Sequence, residues 1–232
     1  MTYVSSQKMS EEKISYEDID KNVKNRTTWA VGTGILNETI KKYNLSRQSG
    51  QAGSALDLGC GNGKTLLSIS DKFLELHGID ILDILSDEAK MKVKFASADL
   101  NFERLPYPDN SLNLVTAFQI IEHLENPFFV AREAQRVLKS GGIFMFSIPN
   151  PFNLAFRLKF LFTGNMPPWT EKNHHLLFLT DAVFKKTYLQ HFHLLETIYQ
   201  RGAIPSWGRL RAIFGKKLIK KHAMVLPRTK HF

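Results

Sequence analysis

The 232-residue sequence predicts an α/β fold: a doubly wound, mostly parallel sheet with helices on both faces. Three observations predict it. Short apolar runs of strand length alternate with helical stretches from Ala55 to Ile148. A glycine-rich turn joins the first apolar run to the first helical stretch of that series. No apolar run approaches the roughly 18 to 20 residues that a membrane span needs, and the densest, Gly142 to Pro149, reads as a buried strand.

The elements follow in order. Residues 1–20 are polar and read as a loose arm. Val23 to Tyr43 has a helical pattern, weakened by Gly32 and Gly34. Arg47 to Gly53 is a loop. Ala55 to Leu58 is the first strand, and Lys64 to Leu76 the helix after it. His77–Asp80, Val93–Ala98 and Leu112–Ile120 are the next three strands. Pro127 to Lys139 is a helix with Pro127 at its first position and Asn126 as its cap. Gly141-Gly142 turns the chain into strand Ile143–Ile148. Residues 149–179, rich in Phe, Pro and His, break the alternation and read as an insertion. Asp181 to His191 is helical behind a Thr180 cap, and Leu194–Tyr199 and Ala223–Leu226 are closing strands.

Composition narrows the function classes. The single cysteine, Cys60, excludes an internal disulfide and a Cys-rich metal site. The first residues hold no apolar signal-peptide core, which fits a cytoplasmic protein. The net charge of +9 is uneven: residues 151–232 carry 14 basic and 3 acidic residues. That balance suits an anionic partner, such as an acidic small molecule, an acidic glycan, a lipid surface or a nucleic acid, and equally a solvated basic face. The sequence sets no oligomeric state.

The chemistry concentrates in LDLGCGNG, Leu56 to Gly63. An apolar strand ends in Asp57, and Gly59, Gly61 and Gly63 follow at every second position. Glycines there let the backbone take positive φ and come close to a ligand. The helix start that follows offers free N–H groups to an anionic group such as a carboxylate. A phosphate-binding G-x-x-x-x-G-K-[ST] loop fails because its first glycine falls on Leu58. A dinucleotide G-x-G-x-x-G turn fails because its third glycine falls on Lys64.

These residues resemble the class I methyltransferases, in particular their type 11 small-molecule group and its ubiquinone-pathway relatives. The resemblance covers Ser54 to Asn150 well and the remainder loosely. It rests also on Leu105 to Val115 (LPYPDNSLNLV), with Tyr107 and Asn113 departing from the pattern, and on Val137 to Gly142 (VLKSGG). It implies a Rossmann-like sheet of seven strands, the last antiparallel, and S-adenosylmethionine as methyl donor. It implies that the turn of Asp57, Gly59, Gly61 and Gly63 wraps the methionine part of the donor. Asp80, in Gly78-Ile79-Asp80, takes both ribose hydroxyls, for which a carboxylate has the acceptors. Asp99, in Ala98-Asp99-Leu100, receives the adenine amino group. Gln119, at the end of strand four, joins the donor-binding set. Residues 1–50 then form an arm and helix covering the donor site. Residues 51–232 form the methyltransferase domain, with a lid at about 150–179.

Strand four runs into Gln119-Ile120-Ile121-Glu122-His123. In ubiquinone-pathway O-methyltransferases and small-RNA 2′-O-methyltransferases, this place reads Glu-x-x-Glu-His and binds a divalent metal. Here Gln119 replaces the first carboxylate, which weakens a hard-cation site, and no metal is expected. His123, and His174 and His175 of the HHLLFLT segment, are the candidate bases, since His titrates near neutral pH. Each has an ordinary structural alternative in a backbone hydrogen bond. Trp169, Phe152, Phe156 and Phe160 are candidate pocket residues or plain packing. The expected function is methyl transfer to a small, lipid-linked or glycan-linked acceptor, acidic in character, with peripheral membrane contact by the insert. Two rivals are an RNA 2′-O-methyltransferase, which Gln119 and the absence of an RNA-binding module place below it, and a non-catalytic donor-binding subunit.

Overall fold

The structure is a computed structural model that describes residues 33–45, 53–149, 154–166, 169, 174–200 and 220–227. Its elements are α1 (Thr33–Lys42), β1 (Ser54–Leu58), α2 (Lys64–Leu67), β2 (Glu75–Asp80), α3 (Asp87–Lys90), β3 (Val93–Ser97) and β4 (Leu112–Phe118). A 3-10 turn, Ile121–His123, precedes α4 (Pro127–Val137), β5 (Leu138–Pro149), α5 (Leu154–Thr163), α6 (Asp181–Lys186), α7 (Tyr188–His191), β6 (Phe192–Gln200) and β7 (Lys220–Pro227).

The strands form one seven-stranded sheet in the order β3-β2-β1-β4-β5-β7-β6. The first five are parallel to one another, and β7 runs antiparallel to both β5 and β6. The topology reverses beside β1, where the chain moves from β3 at one edge to β4 on the other side. The crevice outside the carboxyl ends of the strands is the ligand position of such sheets.

Strand alternation divides the core into two layers. On one face Leu56, Leu58, Val115, Ala117, Phe144 and Phe146 pack with Val130, Ala131 and Ala134 of α4, Phe184 of α6 and Tyr188 of α7. On the other, Ala55, Leu114, Ile143 and Met145 pack with Leu36 and Ile40 of α1 and with Leu66 of α2. Burial on both faces explains why the central strands read as near-continuous apolar runs. A buried polar bridge adds to the first layer. Arg136 donates to Glu133 Oε2 (2.7 Å), Leu105 O (2.8 Å), Tyr107 O (2.7 Å) and Asp109 Oδ1 (2.8 Å), while Leu105 N–H donates to Glu133 Oε2 (2.9 Å). Burial pulls the Glu133 carboxyl up, but Arg136 and the Leu105 N–H outweigh it and leave it below the usual carboxylate range. The bridge fastens the loop that feeds β4 onto α4.

Several elements differ from the sequence reading. The helix after the turn stops at Leu67 instead of Leu76. Ser68 Oγ there donates to Thr65 O (2.7 Å), and the next N–H groups bond three residues back (Ile69 to Leu66, 3.1 Å; Ser70 to Leu67, 3.2 Å), so the chain tightens into turns. β4 stops at Phe118 because Gln119 takes φ 57. β5 begins at Leu138, with Gly141 (φ 79) inside the strand, where its pairing with β4 shifts register. Asn126 precedes α4 but makes no side-chain cap; its Nδ2 donates to Asn101 O (3.3 Å). Thr180 does cap α6, accepting from Val183 N–H (3.2 Å). The helix expected at 181–191 is two, broken at Thr187. Of the N-terminal arm and helix, only Thr33 onward lies within the described residues. Among the described residues, no helix is long and apolar enough to cross a membrane.

Candidate functional site

The turn between β1 and α2 is held by backbone bonds to β2. Gly59 N–H and Cys60 N–H both donate to Ile79 O (2.8 and 3.0 Å), and Gly63 N–H donates to Cys60 O (3.0 Å). Its three glycines share positive φ, at 68°, 52° and 82° for Gly59, Gly61 and Gly63. Their surroundings differ. A Cβ on Gly59 would lie 2.8 Å from Ile120, and one on Gly63 would lie 2.6 Å from the Ala89 Cβ. A Cβ on Gly61 would meet nothing within 4 Å. Gly59 and Gly63 are therefore packing requirements, and Gly61 is the position where bare backbone faces open space.

Asp57, at the buried end of the turn, is 3% exposed. Burial raises its carboxyl to about 7, against the hydrogen bonds of Thr116 and Thr65, with the Asp80 charge adding to the rise. The Thr116 hydroxyl lies 2.5 Å from Asp57 Oδ1 and 3.3 Å from Leu56 O. One hydroxyl proton cannot serve two acceptors fully. A protonated Asp57 resolves this by donating to Thr116 Oγ1 while Thr116 donates to Leu56 O.

Asp80 ends β2 beside the turn. Its Oδ2 accepts from Gly61 N–H (2.9 Å) and its Oδ1 from Ile81 N–H (2.8 Å). The carboxylate thus sets the open Gly61 segment and sits at the same sheet end. Asp99 follows β3 and is half-buried; its Oδ1 accepts from Asn101 N–H (2.9 Å), so one of its oxygens caps its own turn. Cys60 is buried, with its thiol pushed up by burial and by Asp57 and Asp80, and its place depends on Gly78, where a Cβ would lie 2.8 Å from the sulfur.

The second half of the site follows β4. Gln119, in the left-handed region uncommon for a side chain-bearing residue, donates from Nε2 to Ser147 Oγ (2.9 Å) on β5. The Ile121–His123 turn is bound by a distant segment: Leu176 N–H and Leu177 N–H both donate to Glu122 O (2.7 and 3.2 Å). That contact brings the histidines together. His123 Nδ1 lies 2.8 Å from His174 O, and the His123 and His175 rings stand edge to face, 4.7 Å between centroids. A carbonyl only accepts, so Nδ1 carries the proton and the neutral ring keeps its lone pair on Nε2. His174 contributes its carbonyl, while its side chain is exposed. Glu122 is 1% exposed, and its carboxylate lies with the ring nitrogens of His123 and His175 in a group whose atoms are within 4.8 Å of one another. Among the described residues this trio could hold a metal ion. Trp169 Nε1–H donates to Leu177 O (3.0 Å) and packs on Phe178. Of the aromatic pocket candidates, Phe156 is half-buried, Phe160 is 51% exposed, and Phe152 lies outside the described residues.

Sequence reasoning passed over Thr116 and Ser147. Each is a polar residue inside a buried strand, at 1% and 0% exposure, and that interruption of an apolar run was the available signal. The residues of the turn fit the donor named by the resemblance: an open backbone cradle at Gly61 and a carboxylate at the neighbouring strand end.

Comparison with known proteins agrees. The family model described as a methyltransferase domain matches residues 56–146. A probable S-adenosylmethionine-dependent methyltransferase of Mycolicibacterium smegmatis is 35% identical over 98 residues, 41% of this chain and 37% of that protein. The 27-O-demethylrifamycin SV methyltransferase of Amycolatopsis mediterranei is 34% identical over 95 residues, 38% of this chain and 35% of that protein. The chain thus spans little more than a third of the length of these two relatives. The fold is that of a methyltransferase solved in complex with the Haloferax volcanii Trm112 methyltransferase activator: TM-score 0.67 at 13% identity, covering 94% of this chain and 97% of that one. Residues 56–146 match the type 11 methyltransferase-domain family, and the sheet shares its fold with solved methyltransferases.

Proposed function

We propose that the protein transfers a methyl group to a small-molecule, lipid-linked or glycan-linked acceptor of acidic character, with His123 as general base. Bound S-adenosylmethionine supplies an electrophilic methyl group on its sulfonium. Asp57, Gly59, Gly61 and Gly63 would hold its methionine part, Asp80 its ribose hydroxyls, Asp99 its adenine amino group, and Gln119 would complete the set. Asp80 ends β2 beside the turn, where its carboxylate already accepts from Gly61 N–H and Ile81 N–H and has the acceptor chemistry for a diol.

The observation that supports this reading is the meeting of two halves at one sheet end. β1 and β4 are neighbours, and Ile120, just past β4, packs on Gly59, just past β1. His123 follows three residues later, with its Nε2 lone pair set by the His174 carbonyl. A base there takes a proton from an acceptor hydroxyl or amine, a task that contributes roughly 10²–10⁴-fold. His175 stands edge-on to the His123 ring and limits its rotation. The family relatives support the small-molecule class: one bears the name of a rifamycin methyltransferase and another that of a sterol 4-C-methyltransferase.

The test has two parts. Calorimetry should show binding of S-adenosylmethionine and its demethylated product and none of ATP or NAD, with Asp80→Ala weakening it by about 1.5–3 kcal/mol. ATP binding tighter than the donor would sink the donor site, and an unchanged Asp80→Ala the ribose role. Incubation with isotopically labelled donor and a fractionated cell extract should then yield a labelled product by mass. His123→Gln should abolish most of that product while donor affinity stays unchanged; full activity in His123→Gln would remove His123 as the base.

A further inference from the structure

We propose that Ser147 is a positioning residue for methyl transfer: its buried hydroxyl locks Gln119 in the conformation that aims the chain from β4 toward His123. The inference rests on the methyl-transfer reading above, in which Gln119 and His123 belong to the site.

Gln119 is the starting observation. Its φ of 57° lies in the left-handed region, where a Cβ crowds the following carbonyl. Among the described residues, three that carry side chains take positive φ: Asn44, Asn110 and Gln119. Asn tolerates that region because its short side chain bonds locally. The longer glutamine lacks that local bond, so Gln119 needs support from elsewhere. An outlier of this kind persists where its surroundings over-determine it.

Ser147 supplies that support. Register places it opposite Phe118, the last residue of β4. Gln119 N–H donates to Ser147 Oγ (3.1 Å) and, at longer range, to Ser147 O (3.3 Å), and Gln119 Nε2 donates to the same Oγ (2.9 Å). A hydroxyl has two lone pairs, so one oxygen holds the backbone and the side chain of Gln119 together. Ser147 is fully buried in a strand where Met145, Phe146 and Ile148 are buried apolar residues. A hydroxyl there costs stability unless it is bonded, and the two bonds from Gln119 satisfy it.

The conformation of Gln119 matters on both sides of the site. Directly after it, Ile120 packs on Gly59 of the donor turn. Ile121 and Glu122 are buried, and His123 N–H donates to Ile120 O (2.9 Å). Rotation at Gln119 would draw Ile120 off the turn and swing His123 with it. The turn itself has other anchors, in Ile79 O and the Asp80 carboxylate. Loss of the Ser147 hydroxyl should therefore disturb the reaction more than donor binding.

Turnover, donor affinity and melting of the full chain test this. With isotopically labelled S-adenosylmethionine at saturation and one fraction of cell extract, Ser147→Ala should form product roughly 10- to 100-fold more slowly, the range for a displaced reacting group. Its calorimetric affinity for S-adenosylmethionine should stay within about threefold of the parent, a split between maximal rate and binding that loss of folded protein would not produce. Ser147→Thr, which keeps the hydroxyl, should recover most of the rate. In a Gln119→Gly background, Ser147→Ala should change the rate by less than about twofold, because a residue that acts through another shows non-additive effects. Glycine takes positive φ unaided, so adding Gln119→Gly should also raise the melting temperature of Ser147→Ala by about 2–4 °C, a readout that needs no acceptor. An undiminished rate in Ser147→Ala would overturn the proposal. So would an equal loss in both backgrounds, or a Gln119→Gly that fails to raise the melting temperature of Ser147→Ala. Full activity in His123→Gln beside a slow Ser147→Ala would remove the base and still support the clamp.

Discussion

The sheet end that carries the candidate site has a proposed donor half and a proposed acceptor half, and they are built by different means. In the donor half every group is fixed by backbone bonds or by close packing: the turn hangs on Ile79 O, Gly63 sits against Ala89, and Asp57 is sealed under Thr116. In the acceptor half the groups come from segments far apart in sequence, joined by a few bonds at Glu122 and His174. A ligand common to a whole family is served by rigid backbone, and a ligand particular to one protein by surface residues that can change without unfolding the sheet.

The contrast breaks most visibly in stability. Arg136→Met should leave the Glu133 carboxylate, which is 8% exposed, with only the more distant Arg104 guanidinium (3.6 Å) and the Leu105 N–H as partners. The expected loss is about 1.5–3 kcal/mol, as for a lost hydrogen bond to a charged group, read from urea unfolding. Leu161→Ser, at an exposed position of α5, should stay within about 0.5 kcal/mol of the parent, as exposed positions do. A loss below about 1 kcal/mol in Arg136→Met would put the bridge in the class of surface pairs and weaken the picture of a rigid support for the loop that feeds β4.

Asp57 gives the next effect, through pH. Its carboxyl is raised from 3.8 to about 7 in the folded protein, chiefly by burial. Between those values the unfolded chain releases a proton that the folded chain keeps, so stability falls as pH rises from about 4 to about 7 and is level above. About three pH units correspond to about 4 kcal/mol at 1.36 kcal/mol each. Asp57→Asn has no such proton. The difference in unfolding free energy between parent and variant should therefore shrink against the parent by that order across the window. Parallel pH profiles would show that Asp57 is ionised in the folded state and would restore a charged carboxylate under the turn.

How far the sequence alone reaches follows the same division. The donor turn was legible because positive φ and close packing demand glycine at fixed local spacing, and Asp80 because a strand end is set by the apolar run before it. The helix after the turn was misread because Ser68 and its neighbours bond locally, a competition that apolar periodicity does not register. The meeting of His123 with His174 and His175 depends on bonds from Leu176 and Leu177 to Glu122, more than fifty residues away. No local pattern encodes that pairing; it is set by how the segment after α5 returns to the sheet. Gln119 was singled out for the carboxylate it lacks, whereas its bond to Ser147, 28 residues on, could come only from the register of β4 and β5.

The glycines sharpen the comparison within the turn. Gly63→Ala combines a left-handed φ with a Cβ 2.6 Å from another, and should cost about 2–4 kcal/mol of stability. Gly61→Ala has the conformational part alone, about 1–2 kcal/mol, because its Cβ enters open space. If that space belongs to the donor, Gly61→Ala should still fold yet bind S-adenosylmethionine more than about tenfold weaker, about 1.4 kcal/mol. Unfolding curves and calorimetry on both variants separate the two roles. Equal stability losses with unchanged donor affinity in Gly61→Ala would make all three glycines structural.

The smallest expected effect is that of a chelator, and it bears on the acceptor half. Glu122, His123 and His175 place one carboxylate and two imidazoles within reach of a single ion. Gln119 adds no charge to them, and its amide is turned onto Ser147. Magnesium and calcium take six or more oxygen ligands, mostly carboxylate, carbonyl or water, so a trio with a single carboxylate suits them poorly; imidazole-rich sets suit zinc or iron. The hydrogen bond from His123 Nδ1 to the His174 carbonyl orients Nε2 either for a proton or for a metal, so geometry at that ring serves both readings, and turnover has to separate them. In the base reading the proton goes to Nε2 and no ion takes part. Activity in EDTA should then stay within roughly twofold of the untreated enzyme. Loss of activity in EDTA, restored by zinc, iron, magnesium or manganese, would instead make the trio a metal site, move His123 from base to ligand, and favour a metal-using O-methyltransferase.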